Sequence, residues 1–202
     1  YDYIPLGEGC LGVAIADVSG KGASAGLLMA GCRGSLRAVA GRVQESPTEV
    51  LAEVNRQLFQ DMREDMFISM ALVMLEKDRI TLSRAGHDAP LLFRRERRLV
   101  EALKPGGLAI GLDSGPVFER VTRDHEDRLE VGDCLLLYTD GVTEAENGSG
   151  EEFGKKRLRE AFGELAPEGA ERCVKGLQAA VREFTGSTRQ MDDITLIAIE
   201  KR

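Results

Sequence analysis

Three aspartates carry the chemistry in this sequence. Asp17 closes the apolar run Val13-Ala14-Ile15-Ala16, Asp140 follows Leu135-Leu136-Leu137-Tyr138 by two positions, and Asp192 stands with Asp193 just ahead of the run Ile194–Ile199. A carboxylate at the mouth of a buried strand needs a reason. If the fold gathers three of them, they repel strongly unless cations hold them. Ligands that are all oxygen select hard ions, Mg²⁺ or Mn²⁺. Softer metals find no home here, because none of the four cysteines forms a CxxC pair and the two histidines are not in metal-finger spacing. The glycines after Asp140 and near Asp17 let backbone approach an ion or a phosphate closely. A lone aspartate beside a glycine is an ordinary turn, and Asp133 after Gly132 reads as one. Lys21 in "SGKG" is not a nucleotide loop: Ile15 stands where that loop needs glycine, and no Ser or Thr follows the lysine.

The elements that must position these residues follow from pattern. Residues 1–16 read as two strands joined by a turn at Gly7-Glu8-Gly9. Residues 22–42 read as a helix rich in small residues. Its glycines Gly26, Gly31, Gly34 and Gly41 make it easy to bend, so it could act as a switch, or they could serve tight packing. Ser46-Pro47-Thr48-Glu49 starts a second helix, with a capping serine, proline in the first turn and a capping-box glutamate. Val50, Val54 and Leu58 carry its apolar face to about Arg63. Residues 67–75 and 79–85 form a hairpin. Further strands are predicted near residues 90–94, 99–103, 117–122 and 134–139, helices over 155–165 and 168–184, and a last strand over 194–199. "RRERR" at 94–98 reads as a solvated hairpin tip. Short turns between strands favour antiparallel sheets. The fold class is therefore α+β: an αββα four-layer sandwich of two mostly antiparallel sheets flanked by helix pairs.

Composition narrows the function classes. A 202-residue chain that is 43% hydrophobic has a sizeable core and is not disordered. Its net charge of −7 disfavours nucleic acid and anionic lipid as partners. Arg33 and Arg37 break the most apolar stretch, 23–40, so no membrane span is expected. The cysteines sit in or beside apolar runs and read as buried thiols in a reducing compartment, which points to the cytoplasm. The absence of an initiator Met predicts a piece of a longer chain.

Four motifs in this order, "DVSGKG" (17–22), "AGH" (85–87), "YTDGVTEA" (138–145) and "DDIT" (192–195), resemble the metal-dependent protein phosphatases of the 2C type, with the bacterial SpoIIE/RsbU branch most similar. The resemblance spans 1–202 as one domain, truncated at its N-terminal strand because the family's "GGD" is missing before Tyr1-Asp2. It implies two Mn²⁺ or Mg²⁺ ions. Asp17 matches the aspartate bridging both, Val18 the position offering a backbone carbonyl, and Asp140 and Asp192 the remaining ligands. It implies hydrolysis of phosphoserine or phosphothreonine by a metal-bridging hydroxide, on a phosphorylated anti-sigma factor antagonist in bacterial signalling. It further implies an upstream sensor or regulatory domain, and a homodimer stays open. Ser19 stands where eukaryotic relatives have a histidine, and His87 where many have a metal-binding aspartate. His87 reads as a structural histidine, or else as a weak ligand or acid. Asp2 reads as a strand-turn residue, or else as a neighbour of the metals. The alternatives are a non-catalytic regulatory or sensor domain of the same fold, and a small-molecule phosphohydrolase.

Overall fold

The computed structural model describes residues 1–42 and 46–202. In chain order the strands are β1 (Asp2–Gly7), β2 (Cys10–Val18), β3 (Ile68–Glu76), β4 (Arg79–Ala85), β5 (Leu91–Arg94), β6 (Leu99–Ala102), β7 (His125–Arg128), β8 (Cys134–Tyr138) and β9 (Leu196–Glu200). The helices are α1 (Ala23–Ala40), α2 (Pro47–Phe59), α3 (Pro116–Val121), α4 (Asp140–Thr143), α5 (Gly154–Leu165) and α6 (Ala170–Thr185). The chain divides into two compact units, residues 1–87 with 104–128 and residues 88–103 with 129–202.

The first unit holds an antiparallel sheet in the order β1-β2-β3-β4-β7. α2 starts where its sequence requires, with the Ser46 hydroxyl accepting from the Glu49 amide and Pro47 in the first turn. Its apolar stripe, Val50, Leu51 and Val54, is fully buried in a core shared with Leu36 of α1 and Leu72 of β3. Burying each such side chain contributes about 1.5–3 kcal/mol before entropy is charged against it. The second unit holds an antiparallel sheet in the order β6-β5-β8-β9. Leu158 and Phe162 of α5, and Cys173, Leu177 and Val181 of α6, recur at four-residue spacing and meet Leu136 and Tyr138 of β8 in its core. Two antiparallel sheets with helices give the expected α+β class.

Several elements differ from expectation. Residues 117–122 were expected as a strand, but 116–121 are the helix α3. The Asp113 carboxylate accepts from the amides of Gly115, Val117 and Phe118, and Pro116 suits the first turn, so the local chemistry is that of a helix start. β7, His-Glu-Asp-Arg, had no apolar alternation to announce it; it is a short, charged strand at the edge of its sheet. α2 also ends at Phe59, a turn earlier than the pattern suggested.

Asp2 ties β1 to α1. Its carboxylate takes a two-pronged pair from Arg37, with both N···O distances 2.6 Å, and a third contact from Arg33 at 3.1 Å. The structural reading of Asp2 is thus the one its contacts support. The Arg37 hydrogen bond, helped by the charges of Arg33 and Arg37, holds this carboxyl below its ordinary value of 3.8, against the opposing effect of burial. A depressed carboxylate stabilises the fold above its unfolded value, and that stability is lost as pH falls through the lower folded value. Asp2→Asn should therefore cost about 1 kcal/mol near neutral pH, since both arginines are largely exposed. Denaturant melts should show the gap to wild type closing as pH drops past about 3.8. A gap that stays constant with pH would contradict the assignment.

Gly26, Gly31 and Gly34 of α1 do not serve close packing within the chain. A side-chain carbon at Gly26, Gly31 or Gly34 would meet nothing within 4 Å, and this outward face also exposes Leu27 and Met29. Gly31→Ala with Gly34→Ala should therefore raise stability, by up to about 1 kcal/mol per site. A thermal melt that falls instead would show an unseen steric demand.

Candidate metal centre

The buried strand β8 pairs with β9, and the last rung of that ladder is Tyr138 with Leu196. Beyond it the two chains stay together by a different set of bonds. The Thr139 amide donates to the Thr195 carbonyl at 3.2 Å, and the Thr195 amide donates to the Thr139 hydroxyl at 2.9 Å. That hydroxyl donates in turn to the Asp193 carbonyl at 3.1 Å. Asp140 then opens the single turn α4, its carbonyl accepting from the Glu144 amide and the Thr143 hydroxyl. Gly141 lies so close to the 192–193 backbone that an added Cβ would stand 2.3 Å from the Asp193 carbonyl oxygen. Asp140 and Asp192 are thus brought together at the ends of two paired strands. Sheet pairing stops there, so the carboxylates leave the core instead of being buried in it.

The surroundings are acidic. The Glu144 carboxyl is held above its ordinary value, first by partial burial and then by the negative charges of Asp140, Glu152, Asp192 and Asp88. Lys155 is drawn into this group by direct contact, pairing with Asp88 at 2.5 Å. Asp192 accepts from the Asp193 amide at 2.7 Å, and its carbonyl accepts from Gln190. Asp133 provides the contrast. It is buried and takes bonds from the amides of Glu130 and Arg95 and from the Arg94 side chain, so it is spent on the fold. That pair also draws Arg94 inward, while Arg95–Arg98 are exposed at the hairpin tip as expected.

In the first unit, Asp17 and Val18 end β2, opposite Ser69 and Ile68 of β3. The following turn is fastened by Ser19, whose amide donates to the Phe67 carbonyl and whose hydroxyl accepts from the Phe67 amide at 2.7 Å. His87 is buried, with Nδ1 2.8 Å from the Ser69 hydroxyl, and its carbonyl accepts from Arg84. These contacts match the structural reading of His87.

Carboxylate oxygens are the donors a hard divalent cation takes, and an ion here would offset the negative charge that Asp140 and Asp192 add to burial in raising the Glu144 carboxyl. Among the described residues no group of three or more His, Cys, Asp or Glu side chains is close enough to hold an ion. Thr139 and Glu144 were not singled out by the sequence reading. The only sign of either was their place in "YTDGVTEA", beside the aspartate.

Comparison with solved structures places this fold. The chain matches the SiaA-PP2C domain of Pseudomonas aeruginosa with a TM-score of 0.85 and 21% identity, over 99% of this chain and 80% of that one. It matches RsbX in complex with magnesium at 0.67 and 14% identity, over 98% and 84%. The chain therefore has the fold of the PP2C-type phosphatase domains. The family model for stage II sporulation protein E (SpoIIE) matches residues 7–202, and the chain belongs to that family. The phosphoserine phosphatase RsbU of Bacillus subtilis (strain 168) is 29% identical over 199 residues, which is 95% of this chain and 56% of RsbU. The chain thus spans just over half the length of that relative.

Proposed function

We propose that the chain is a metal-dependent serine/threonine phosphoprotein phosphatase, acting as one domain over 1–202. The observation that carries the reading is the Asp140–Asp192 pair, held in an acidic setting by backbone that Thr139 and Gly141 lock together. Asp17, the Val18 carbonyl, Asp140 and Asp192 would hold two Mn²⁺ or Mg²⁺ ions. Such ions, when bound, supply a water ionised near neutral pH and offset charge on the phosphoryl oxygens. The magnesium bound by RsbX and the family's motifs support that choice.

The chain's own residues supply position. The four proposed ligand residues would fix where the phosphoryl group can sit, and the strands leading to Asp17 and Asp140 resist displacement because β2 and β8 are paired on both sides. The likeness to the phosphoserine phosphatase RsbU supports phosphoserine as the group attacked. The proposed carrier of that group is a phosphorylated anti-sigma factor antagonist in the cytoplasm. No helix of the described residues is long and apolar enough to cross a membrane. The net charge of −7 disfavours nucleic acid. An upstream regulatory domain or a second copy of the chain would act through α1, whose outward face is bare and apolar.

The test is phosphate release from a phosphoserine-bearing antagonist protein against a panel of phosphorylated metabolites, each with Mn²⁺. Release from the protein alone is the expected result. Release confined to the metabolites would favour the small-molecule phosphohydrolase, and no release from either would favour a non-catalytic domain.

A further inference from the structure

We propose that Thr139 is a positioning residue that fixes the Asp140–Asp192 ligand pair; the inference rests on the metal-centre reading above. A hydroxyl has one proton to give and lone pairs to accept with. That of Thr139 uses both, accepting from the Thr195 amide at 2.9 Å and donating to the Asp193 carbonyl at 3.1 Å. It therefore takes the place of a main-chain acceptor where the β8–β9 ladder has run out, and grips the incoming 193–195 segment at two points. The residue is buried, and its side chain does not cap α4, so neither solvent nor the helix claims the hydroxyl.

Gly141 completes the grip. Its bare α-carbon lets the Asp193 carbonyl lie where a Cβ would be 2.3 Å away. The segment is held by a hydrogen-bonding hydroxyl and lies closer to the glycine than any side chain there would allow. Asp140 is covalently next to Thr139, and Asp192 is next to Asp193. Whatever sets the Thr139–Asp193 spacing thus sets the spacing of the two carboxylate-bearing backbones. Residues that orient ligands from behind change metal affinity by about 10–100-fold when removed.

The test compares Thr139→Val, which keeps the shape and loses both bonds, with Thr139→Ser, which keeps the hydroxyl. Mn²⁺ affinity is measured by titration calorimetry on the whole chain, alongside the melting temperature without metal. The valine variant should bind Mn²⁺ about 10–100-fold more weakly, while the serine variant stays near wild type. Turnover of the valine variant should recover as Mn²⁺ is raised, because the hydroxyl does not touch the reacting atoms. A merely structural threonine would lower the melting temperature and leave the affinity of the folded protein unchanged; that result overturns the proposal. If the valine variant does not fold, the serine variant decides alone, and loss of Mn²⁺ binding by folded Thr139→Ser is equally fatal. Asp140→Asn in the same titration separates the two readings. Its loss of binding beside an unaffected valine variant removes only the role of Thr139. A wild-type chain that binds no Mn²⁺ removes both.

Discussion

Asp140→Asn should cut phosphate release from a phosphoserine protein by about 10²–10³-fold, the scale on which one preorganised charge-stabilising group contributes to a rate. The change is nearly isosteric, and the contacts that Asp140 makes to α4 use its carbonyl, which asparagine keeps. The fold should therefore survive. Stability without metal should hold or rise, since a negative charge leaves the neighbourhood of Asp192 and Glu144. That combination, an inactive protein with an unchanged or higher melting point, is the signature of a ligand. A rate near wild type would refute the assignment of Asp140, and a collapsed melting curve would show that the carboxylate serves the fold.

Gly141→Ala should damage the protein although the change is small. Alanine favours a helical turn over glycine by about 1 kcal/mol, and Gly141 sits in α4 without a positive φ. Propensity alone would make the change stabilising, as it is expected to be at Gly31 and Gly34 on the open face of α1. The added carbon, however, would stand 2.3 Å from the Asp193 carbonyl oxygen, which is backbone and cannot swing away. Either α4 or the 192–193 segment must move, at a cost of about 1–3 kcal/mol. Because both segments carry a proposed ligand, Mn²⁺ affinity should fall with stability. Calorimetry and melting on the one variant check this. An alanine variant with wild-type metal affinity would show that the strand ends adjust independently of the ligands.

The proposed ligands stood out in the sequence more plainly than parts of the fold did. Asp140 and Asp192 were visible because a polar group at the end of an apolar run breaks the pattern. Their meeting depends on the antiparallel pairing of β8 with β9, which the sequence did not announce because α5 and α6 lie between the two strands. Thr139 was hidden for the opposite reason: a β-branched residue at a strand end looks like one more strand residue. Its hydroxyl acquires meaning only once the partners, Asp193 and Thr195, are known, and they are more than fifty positions away. Residues 117–122 misled because Val117, Phe118 and Val121 read as a strand, while the determinant of α3 lay upstream, in the Asp113 carboxylate and Pro116. The α1 glycines were ambiguous between packing and pliancy, because a glycine in sequence does not say what faces it. The empty space beyond Gly26, Gly31 and Gly34 removes close packing within the chain as their reason.

The most direct test of the metal-dependent phosphatase reading is phosphate release from a phosphoserine-bearing protein, followed through removal and return of the metal. The account predicts turnover with Mn²⁺ or Mg²⁺, none in excess chelator, and recovery when Mn²⁺ is added back beyond the chelator. Undiminished turnover in excess chelator would contradict it.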